Sequence, residues 1–202
     1  MNMILFGCGG HARSIISVIR ETSQEEILLV DENVHPDERI LGCRTVKEYR
    51  LQPDDKCMIA IGNIQKRKKI YELLSDTEKM LLSNIYALSA LIREEVSIGK
   101  GVFISANAYV GPQVVIGDNT IINTAAIIEH EVKIGKHVHI APNVTVCGRT
   151  RIGNEVFCGA SSTIIDKVSV CDKVTIGAGA VVTDDITEPG IYVGVPTRKI
   201  KE

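Results

Sequence analysis

An unbroken six-residue repeat decides the fold, and residues 98–140 show it as IGKGVFISANAYVGPQVVIGDNTIINTAAIIEHEVKIGKHVHI. An aliphatic residue returns at every sixth position from Ile98 to Val182, with Cys158 as the one exception that is neither Ile nor Val. An α-helix has 3.6 residues per turn and would spread this stripe around its surface. Three six-residue segments can instead close one triangular coil of a parallel β-helix. The repeat therefore predicts about five stacked coils whose aliphatic residues point inward.

The residues before the repeat alternate between strand-like and helix-like segments. Apolar strands are predicted at Met3–Phe6, Ile27–Val30 and Met58–Ile61, with helices after Ala12 and over Gln65–Ser75. Such alternation is typical of a parallel sheet with crossover helices. We therefore predict an α/β Rossmann-like half-domain over residues 1–90 and an all-β β-helix over residues 91–202. Residues 193–200 lie outside the hexads and are predicted to cap the last coil.

Composition limits the possible partners and the cellular compartment. The net charge is −2 and aromatic residues make up 4% of the chain, which argues against nucleic acid as a partner. No apolar run approaches 18 residues, and the N-terminus is predicted to be a strand instead of a signal peptide. Six cysteines occur without a C-x-x-C pair, which favours reduced thiols in the cytoplasm over metal ligands. Neither a membrane nor a bound metal is therefore expected.

A glycine turn follows the first predicted strand. The segment Gly7-Cys8-Gly9-Gly10-His11-Ala12 fits the dinucleotide-binding fingerprint, and Asp31 follows about 20 residues later. A full dinucleotide fold needs two βαβαβ halves, for which 90 residues are too few. A single half can bind one mononucleotide, such as the nucleoside diphosphate of an activated sugar, with its phosphate at the helix N-terminus. A tight strand–helix turn without a ligand is the alternative.

A histidine between two carboxylates is the candidate catalytic group. His130 stands between Glu129 and Glu131, two positions after the inward Ile128, so it is expected on the outer surface of the prism. A neighbouring carboxylate favours protonation of an imidazole, and a histidine base can contribute about 10²–10⁴-fold to a rate. A solvated surface histidine without a function is the alternative.

The glycine turn, the unbroken hexads, Glu129-His130-Glu131 and the terminal Val193-Gly194-Val195-Pro196 together resemble one family. It comprises the sialic-acid and amino-sugar acyltransferases of the hexapeptide superfamily, and the nearest similarity is to its UDP-4-amino-sugar N-acetyltransferases. The resemblance spans essentially the whole chain. It implies a left-handed β-helix, a homotrimer, and transfer of an acetyl group from acetyl-CoA to a nucleotide-linked amino sugar for surface glycans or glycoproteins.

The resemblance also implies roles for individual residues. His130 matches the catalytic base and Glu131 its acidic helper. The acetyl-CoA groove, between the β-helices of two subunits, is expected to involve His139, Gly148, Ala160 and Ala178. The nucleotide sugar is expected to contact Gly9, Gly10, His11, Asp31, Glu32, Gly62 and Asn63. The family often has glycine at position 12, where this chain has Ala12.

Three other functions remain open at this stage. Sialic acid O-acetylation uses the same fold with a hydroxyl acceptor. A zinc hydratase of the γ-carbonic anhydrase type would need three histidines around one metal at a subunit interface, with stacked ligands about one coil apart. His130, His137 and His139 are instead spaced by seven and two residues. A purely structural or binding module would release no CoA. The basic run Lys66–Lys69 is predicted to be a solvated helix face. The resemblance implies the alternative that Arg67 reaches a phosphate of the substrate.

Overall fold

A small α/β sheet forms the first part of the chain in the computed structural model, which describes residues 2–35 and 37–201. Parallel pairing joins β1 to β2 and β5, and joins β2 to β4, while β3 and β4 form an antiparallel hairpin at the edge. The sheet order is β3-β4-β2-β1-β5. The elements are β1 (Asn2–Phe6), α1 (Gly10–Thr22), β2 (Glu26–Val30), β3 (Arg39–Ile40), β4 (Cys43–Val46), β5 (Lys56–Ile59), α2 (Ile64–Leu73) and α3 (Asp76–Lys79).

Helix α1 packs an apolar face on this sheet, as its sequence pattern predicts. Ala12, Ile15, Ile16 and Ile19 are buried on one side at helical spacing. Helix α2 begins at Ile64, one residue before the predicted start, because the Asn63 side chain accepts a hydrogen bond from the Lys66 amide. The third predicted strand lies two residues earlier than expected, and the β3–β4 hairpin was not predicted.

The remaining chain winds into a left-handed β-helix of short strands, as predicted. On each face, neighbouring strands of the hexads pair in parallel 18 residues apart, so three hexads make one coil. The strands are β6 (Ile85–Tyr86), β7 (Leu91–Ile92), β8 (Ser97–Ile98), β9 (Phe103–Ile104), β10 (Tyr109–Val110), β11 (Val115–Ile116), β12 (Ile121–Ile122), β13 (Ile127–Ile128), β14 (Lys133–Ile134), β15 (His139–Ile140), β16 (Thr145–Val146), β17 (Arg151–Ile152), β18 (Phe157–Cys158), β19 (Thr163–Ile164), β20 (Ser169–Val170), β21 (Val174–Ile176) and β22 (Val181–Val182).

The inner positions of each hexad fill the core, and the corner positions turn the chain from one face to the next. The second residue of the short strands points inward, and together these residues build one continuous aliphatic core. The corner residue three positions after the inward one adopts a left-handed conformation, as at Asn119, Glu131, His137 and Arg149, with φ between 54° and 60°. This conformation is costly for a residue with a Cβ atom. Stacking supports it, since the Glu131 amide donates to the Pro112 carbonyl one coil earlier.

The β-helix has three faces with different surroundings. Strands β6, β9, β12, β15, β18 and β21 form the packed face, which the α/β sheet and its helices cover. Strands β7, β10, β13, β16, β19 and β22 form the uncharged face, and β8, β11, β14, β17 and β20 form the third face. Two last strands, β23 (Gly190–Val193) and β24 (Arg198–Lys201), extend the packed face beyond the hexads.

The two parts of the chain share one apolar core. Phe103 and Ile121 point outward from the packed face, yet both are buried among residues of the first part such as Leu5 and Ile15. Strand β6 already pairs with β9, so the β-helix begins before the predicted boundary at residue 91. The shared core fixes the position of the first part against the β-helix.

Candidate active site

His130 and Glu131 form a hydrogen-bonded pair at the corner that follows β13. The His130 Nδ1 atom lies 2.9 Å from Glu131 Oε2, and the two side chains are 44% and 50% exposed. Since a carboxylate can only accept, Nδ1 carries the proton and Nε2 keeps its lone pair. The left-handed φ of 60° at Glu131 lets its side chain turn back to the preceding histidine. The corner thus presents an imidazole with one nitrogen free for proton transfer.

Gly148 lies directly beneath the imidazole, one coil later. A Cβ atom on this glycine would stand 2.6 Å from both Cε1 and Nε2 of His130. The Arg149 amide donates to the His130 carbonyl at 2.9 Å, which keeps the two corners in register. Glycine at position 148 therefore leaves room for the histidine ring above it.

Charged and polar side chains surround this pair. Arg149, one coil after Glu131, makes a two-point hydrogen bond to Asp166, with donor–acceptor distances of 2.7 and 3.1 Å. Cys147 stands beside the same corner. Burial, together with the nearby Glu129 and Asp166 carboxylates, raises the pKa of the Cys147 thiol. A thiol that resists ionisation is a poor nucleophile, which argues against a covalent acyl-enzyme through this cysteine.

The residues expected to bind the nucleotide sugar do lie together. Gly9, Gly10 and His11 follow β1, Asp31 and Glu32 follow β2, and Gly62 and Asn63 follow β5 shortly before α2. These three strands are neighbours in a parallel sheet, so their carboxyl ends meet at one edge. Asp31 links two of the segments because its Oδ2 atom accepts a hydrogen bond from the Cys8 amide. A Cβ on Gly9 or Gly10 would meet no atom within 4 Å.

His11 and His139 meet at the contact between the two parts of the chain. Their ring centroids are 6.3 Å apart, and each packs edge-on against a phenylalanine, His11 against Phe103 and His139 against Phe157. Burial lowers the pKa of His11 to about 3 and that of His139 to about 4. The buried Nε2 of His11 has no hydrogen-bond partner. Both imidazoles are therefore neutral near pH 7.

His139 also bonds to the predicted nucleotide-binding edge. Its Nδ1–H donates to the Gly62 carbonyl at 3.0 Å, and its Nε2 lies 3.5 Å from the Asn123 amide nitrogen. The nearby segment 62–65 and the packed face enclose a cavity of about 350 Å³, lined also by Glu155, Phe157 and Lys173.

Arg67 is buried, so the prediction of a solvated basic run is wrong for this residue. Its side chain is 1% exposed and donates only to backbone carbonyls in both parts of the chain. Lys66 and Lys69 are exposed as expected, and Lys68 pairs with Glu155 at 2.9 Å. No pattern in the sequence distinguishes Arg67 from its basic neighbours except its place on the helix.

The residues expected to bind acetyl-CoA do not converge within one chain. Gly148 shares its corner with His130, whereas Ala160 and Ala178 stack one above the other at the corner after the packed face. His139 lies on the packed face itself. The four residues therefore do not line a single groove within the described chain.

His130, His137 and His139 lie at different places within the described chain. His137 is buried, accepts a hydrogen bond from the Asn119 side chain and packs against Tyr71. His130 and His139 lie at other places on the prism. Within residues 2–35 and 37–201, no three His, Cys, Asp or Glu side chains are grouped so that they could hold a metal ion. None of the described helices is long and apolar enough to cross a membrane.

Comparison with known proteins gives three family matches. Residues 2–74 match the PglD N-terminal domain, residues 95–124 match the bacterial transferase hexapeptide repeats, and residues 149–184 match the hexapeptide repeat of succinyl-transferase. No curated protein matches the chain significantly.

Several solved structures share the whole architecture. A His-to-Asn variant of perosamine N-acetyltransferase from Caulobacter crescentus, in complex with CoA and GDP-perosamine, is 25% identical, with 100% of this chain and 98% of that chain covered and a TM-score of 0.89. The acetyltransferase domain of PglB from Neisseria gonorrhoeae is 27% identical, with coverages of 98% and 99% and a TM-score of 0.90. The same domain in complex with acetyl-CoA is 26% identical, with both coverages 98% and a TM-score of 0.89.

These matches define the class of enzyme. The chain is an acetyltransferase, and its β-helix matches the hexapeptide repeats of bacterial transferases. Its combination of a PglD-type N-terminal domain with the β-helix is similar to that of the nucleotide amino-sugar N-acetyltransferases, and the resemblance predicted from the sequence is confirmed.

Proposed function

We propose that this protein transfers the acetyl group of acetyl-CoA to the 4-amino group of a nucleotide-linked amino-deoxy sugar. The observation that carries the proposal is the His130–Glu131 pair, whose free Nε2 faces the surface above Gly148. The nucleotide-type edge formed by the carboxyl ends of β1, β2 and β5 supplies a second, separate binding feature. Perosamine N-acetyltransferase, similar over its whole length, is described with both CoA and a GDP-linked sugar.

His130 is the proposed general base. An ammonium group has no lone pair, so the sugar amine must lose a proton as it attacks the thioester carbonyl. Nε2 accepts that proton, while Nδ1–H stays bonded to Glu131, whose negative charge stabilises the imidazolium that forms. The attack breaks the carbon–sulfur bond and releases CoA as a thiol or thiolate. Because Cys147 is held as a thiol, direct transfer needs no acyl-enzyme.

The Gly148 amide is the proposed donor to the developing oxyanion. Within the part of the chain that the structure describes, this N–H makes no hydrogen bond to a protein acceptor. It belongs to the same corner that supports the His130 ring. A donor aimed at the negative oxygen typically contributes about 10²–10³ to the rate.

A homotrimer would complete the site. The outward residues of the uncharged face are Leu91, Tyr109, Ile127, Thr145, Thr163 and Val181. None is charged, and Leu91 and Ile127 remain 47% and 39% exposed in the single chain. Such a face favours burial against another copy. Since His130 lies at its edge, packing there would bring a neighbour's Ala160 and Ala178 corner to the imidazole, with small residues admitting acetyl-CoA between the subunits.

The nucleotide sugar is assigned to the edge that contains Gly9, Asp31 and Gly62. The N–H groups at the start of α1 suit phosphate, and the Gly9–Gly10 surface leaves space for it. His11 and Asn63 complete this edge, and Glu32 is exposed beside Asp31. His139 stays assigned to acetyl-CoA, as the resemblance implies.

The test is a substrate screen with acetyl-CoA and UDP-, dTDP- and GDP-linked 4-amino sugars, followed by thiol release and product mass. We expect one acetyl group, a gain of 42 Da by the mass of C₂H₂O, on one of the amino sugars. Free sialic acid in a parallel reaction distinguishes O-acetylation. The proposal would be overturned if CoA were released only with sialic acid. It would also be overturned if none of the acceptors in the screen led to CoA release.

A further inference from the structure

The Arg67 guanidinium joins the nucleotide-binding edge to the β-helix. Its Nη1 atom donates to the Ile61 and Gly62 carbonyls, each at 3.0 Å. Its Nε atom donates to the Asn119 carbonyl at 3.1 Å, and Nη2 donates to the His137 and Val138 carbonyls, both at 3.1 Å.

This set of contacts uses the full donor capacity of arginine. A guanidinium has five N–H groups in a rigid plane, and here five carbonyl oxygens accept them. Although burial lowers the pKa of Arg67 to about 9, the group stays protonated at neutral pH. No donor is left for a substrate phosphate.

The Gly62 carbonyl accepts a second hydrogen bond from another side chain. Gly62 O accepts from Arg67 Nη1 and also from His139 Nδ1, each at 3.0 Å. Asn63, the next residue, caps helix α2, on which Arg67 itself stands. The segment 61–63 is thus fixed between its own helix and two successive coils.

We infer that Arg67 is a positioning residue that sets where the nucleotide sugar lies relative to the catalytic corner. The inference rests on the proposed function, in which Gly62 and Asn63 bind the nucleotide sugar. Arg67 touches neither substrate in this assignment and acts on the nucleotide sugar through the backbone of segment 61–63, which it ties to the carbonyls of residues 119, 137 and 138. Its loss should therefore weaken use of the nucleotide sugar while leaving acetyl-CoA binding intact.

Arg67→Lys is the first test, because lysine keeps the charge but offers three donors without the planar fork. Arg67→Met is the second, because it buries no ammonium group if lysine is not tolerated. Lys69→Met, an exposed position on the same helix, is the matched control. KM and kcat are measured for both substrates well below the melting temperature of each variant.

We expect the KM for the nucleotide sugar to rise at least tenfold in the Arg67 variants, with the KM for acetyl-CoA within twofold of wild type and the control unchanged. An equal rise of both KM values, an unchanged sugar KM, or failure of both variants to fold would overturn the inference, since each indicates a purely structural role or none. If wild-type protein acetylates no nucleotide sugar, the proposed function itself fails. Binding of UDP, dTDP and GDP, measured by calorimetry without turnover, then tests Arg67 separately, and an affinity unchanged in the variants overturns the inference.

Discussion

Gly148→Ala tests the geometry of the catalytic corner with a single methyl group. The added Cβ would stand 2.6 Å from His130 Nε2, whereas nonbonded contacts of this kind lie at about 3.5 Å or more. The ring must therefore move by about 1 Å, a displacement that can cost about 10²-fold in rate. We expect kcat to fall by about this factor, which corresponds to about 2.7 kcal/mol of transition-state stabilisation.

The fold should accept this alanine. Ala106, Ala160 and Ala178 occupy the equivalent position of other hexads, so the corner backbone accommodates a Cβ. The half-exposed His130 ring can also move without disturbing the core. Circular dichroism should show a melting temperature close to that of wild type, and thiol release at saturating substrates gives the rate.

A double-mutant cycle distinguishes displacement of the base from obstruction of acetyl-CoA. In a His130→Ala background the methyl group has no ring to displace, so Gly148→Ala should reduce kcat little further. The same fractional loss of kcat in both backgrounds, or full activity of the single variant, would refute the reasoning.

Three further predictions follow from other contacts. Glu131→Gln should lower kcat, but by less than removal of the His130 side chain does. The Gln amide can still orient the ring, but it carries no charge to stabilise the imidazolium. The rate of thiol release measures kcat, and a wild-type rate would contradict the prediction. The burial-lowered pKa values of His11, about 3, and His139, about 4, predict acid destabilisation. Both rings stay neutral in the folded state, whereas histidine in the unfolded chain is protonated below about pH 6.5. The contribution to the free energy of unfolding is therefore present above that pH and is lost as the pH falls from about 6.5 towards 3. The loss amounts to up to about 1.4 kcal/mol per unit of pKa difference. Melting curves from pH 8 to 4 check this, and a flat profile would contradict it. Ile127→Glu places a charge on the uncharged face and should convert the proposed trimer into monomers. Light scattering measures the mass, with exposed Lys69→Met as control. A trimer that survives the Ile127→Glu substitution would show that this face is not the interface.

The β-helix could be predicted because its six-residue period appears directly in the amino-acid sequence. Every inward position of a hexad must be apolar to fill the prism, so the stripe in the sequence and the core in the structure are the same set of residues. The place of His130 at a corner follows from the same count. Gly148 could have been identified as its neighbour too, since stacked positions differ by 18 residues.

The contact between the two parts of the chain could not be predicted in this way. Arg67 bonds to carbonyls at positions 61, 62, 119, 137 and 138, which lie up to 71 residues from Arg67 along the chain. Backbone acceptors leave no signature in side-chain composition, so a buried guanidinium and a solvated one share the same sequence pattern. The β3–β4 hairpin was missed because its strands are short and carry arginines at Arg39 and Arg44.

The measurement that tests the central claim most directly is the acetyl-transfer rate of His130→Ala with acetyl-CoA and the best nucleotide amino sugar from the screen. If Nε2 is the base, kcat should fall by about 10²–10⁴-fold while calorimetry shows acetyl-CoA bound as tightly as in wild type. A folded variant that transfers acetyl groups at the wild-type rate would contradict the claim.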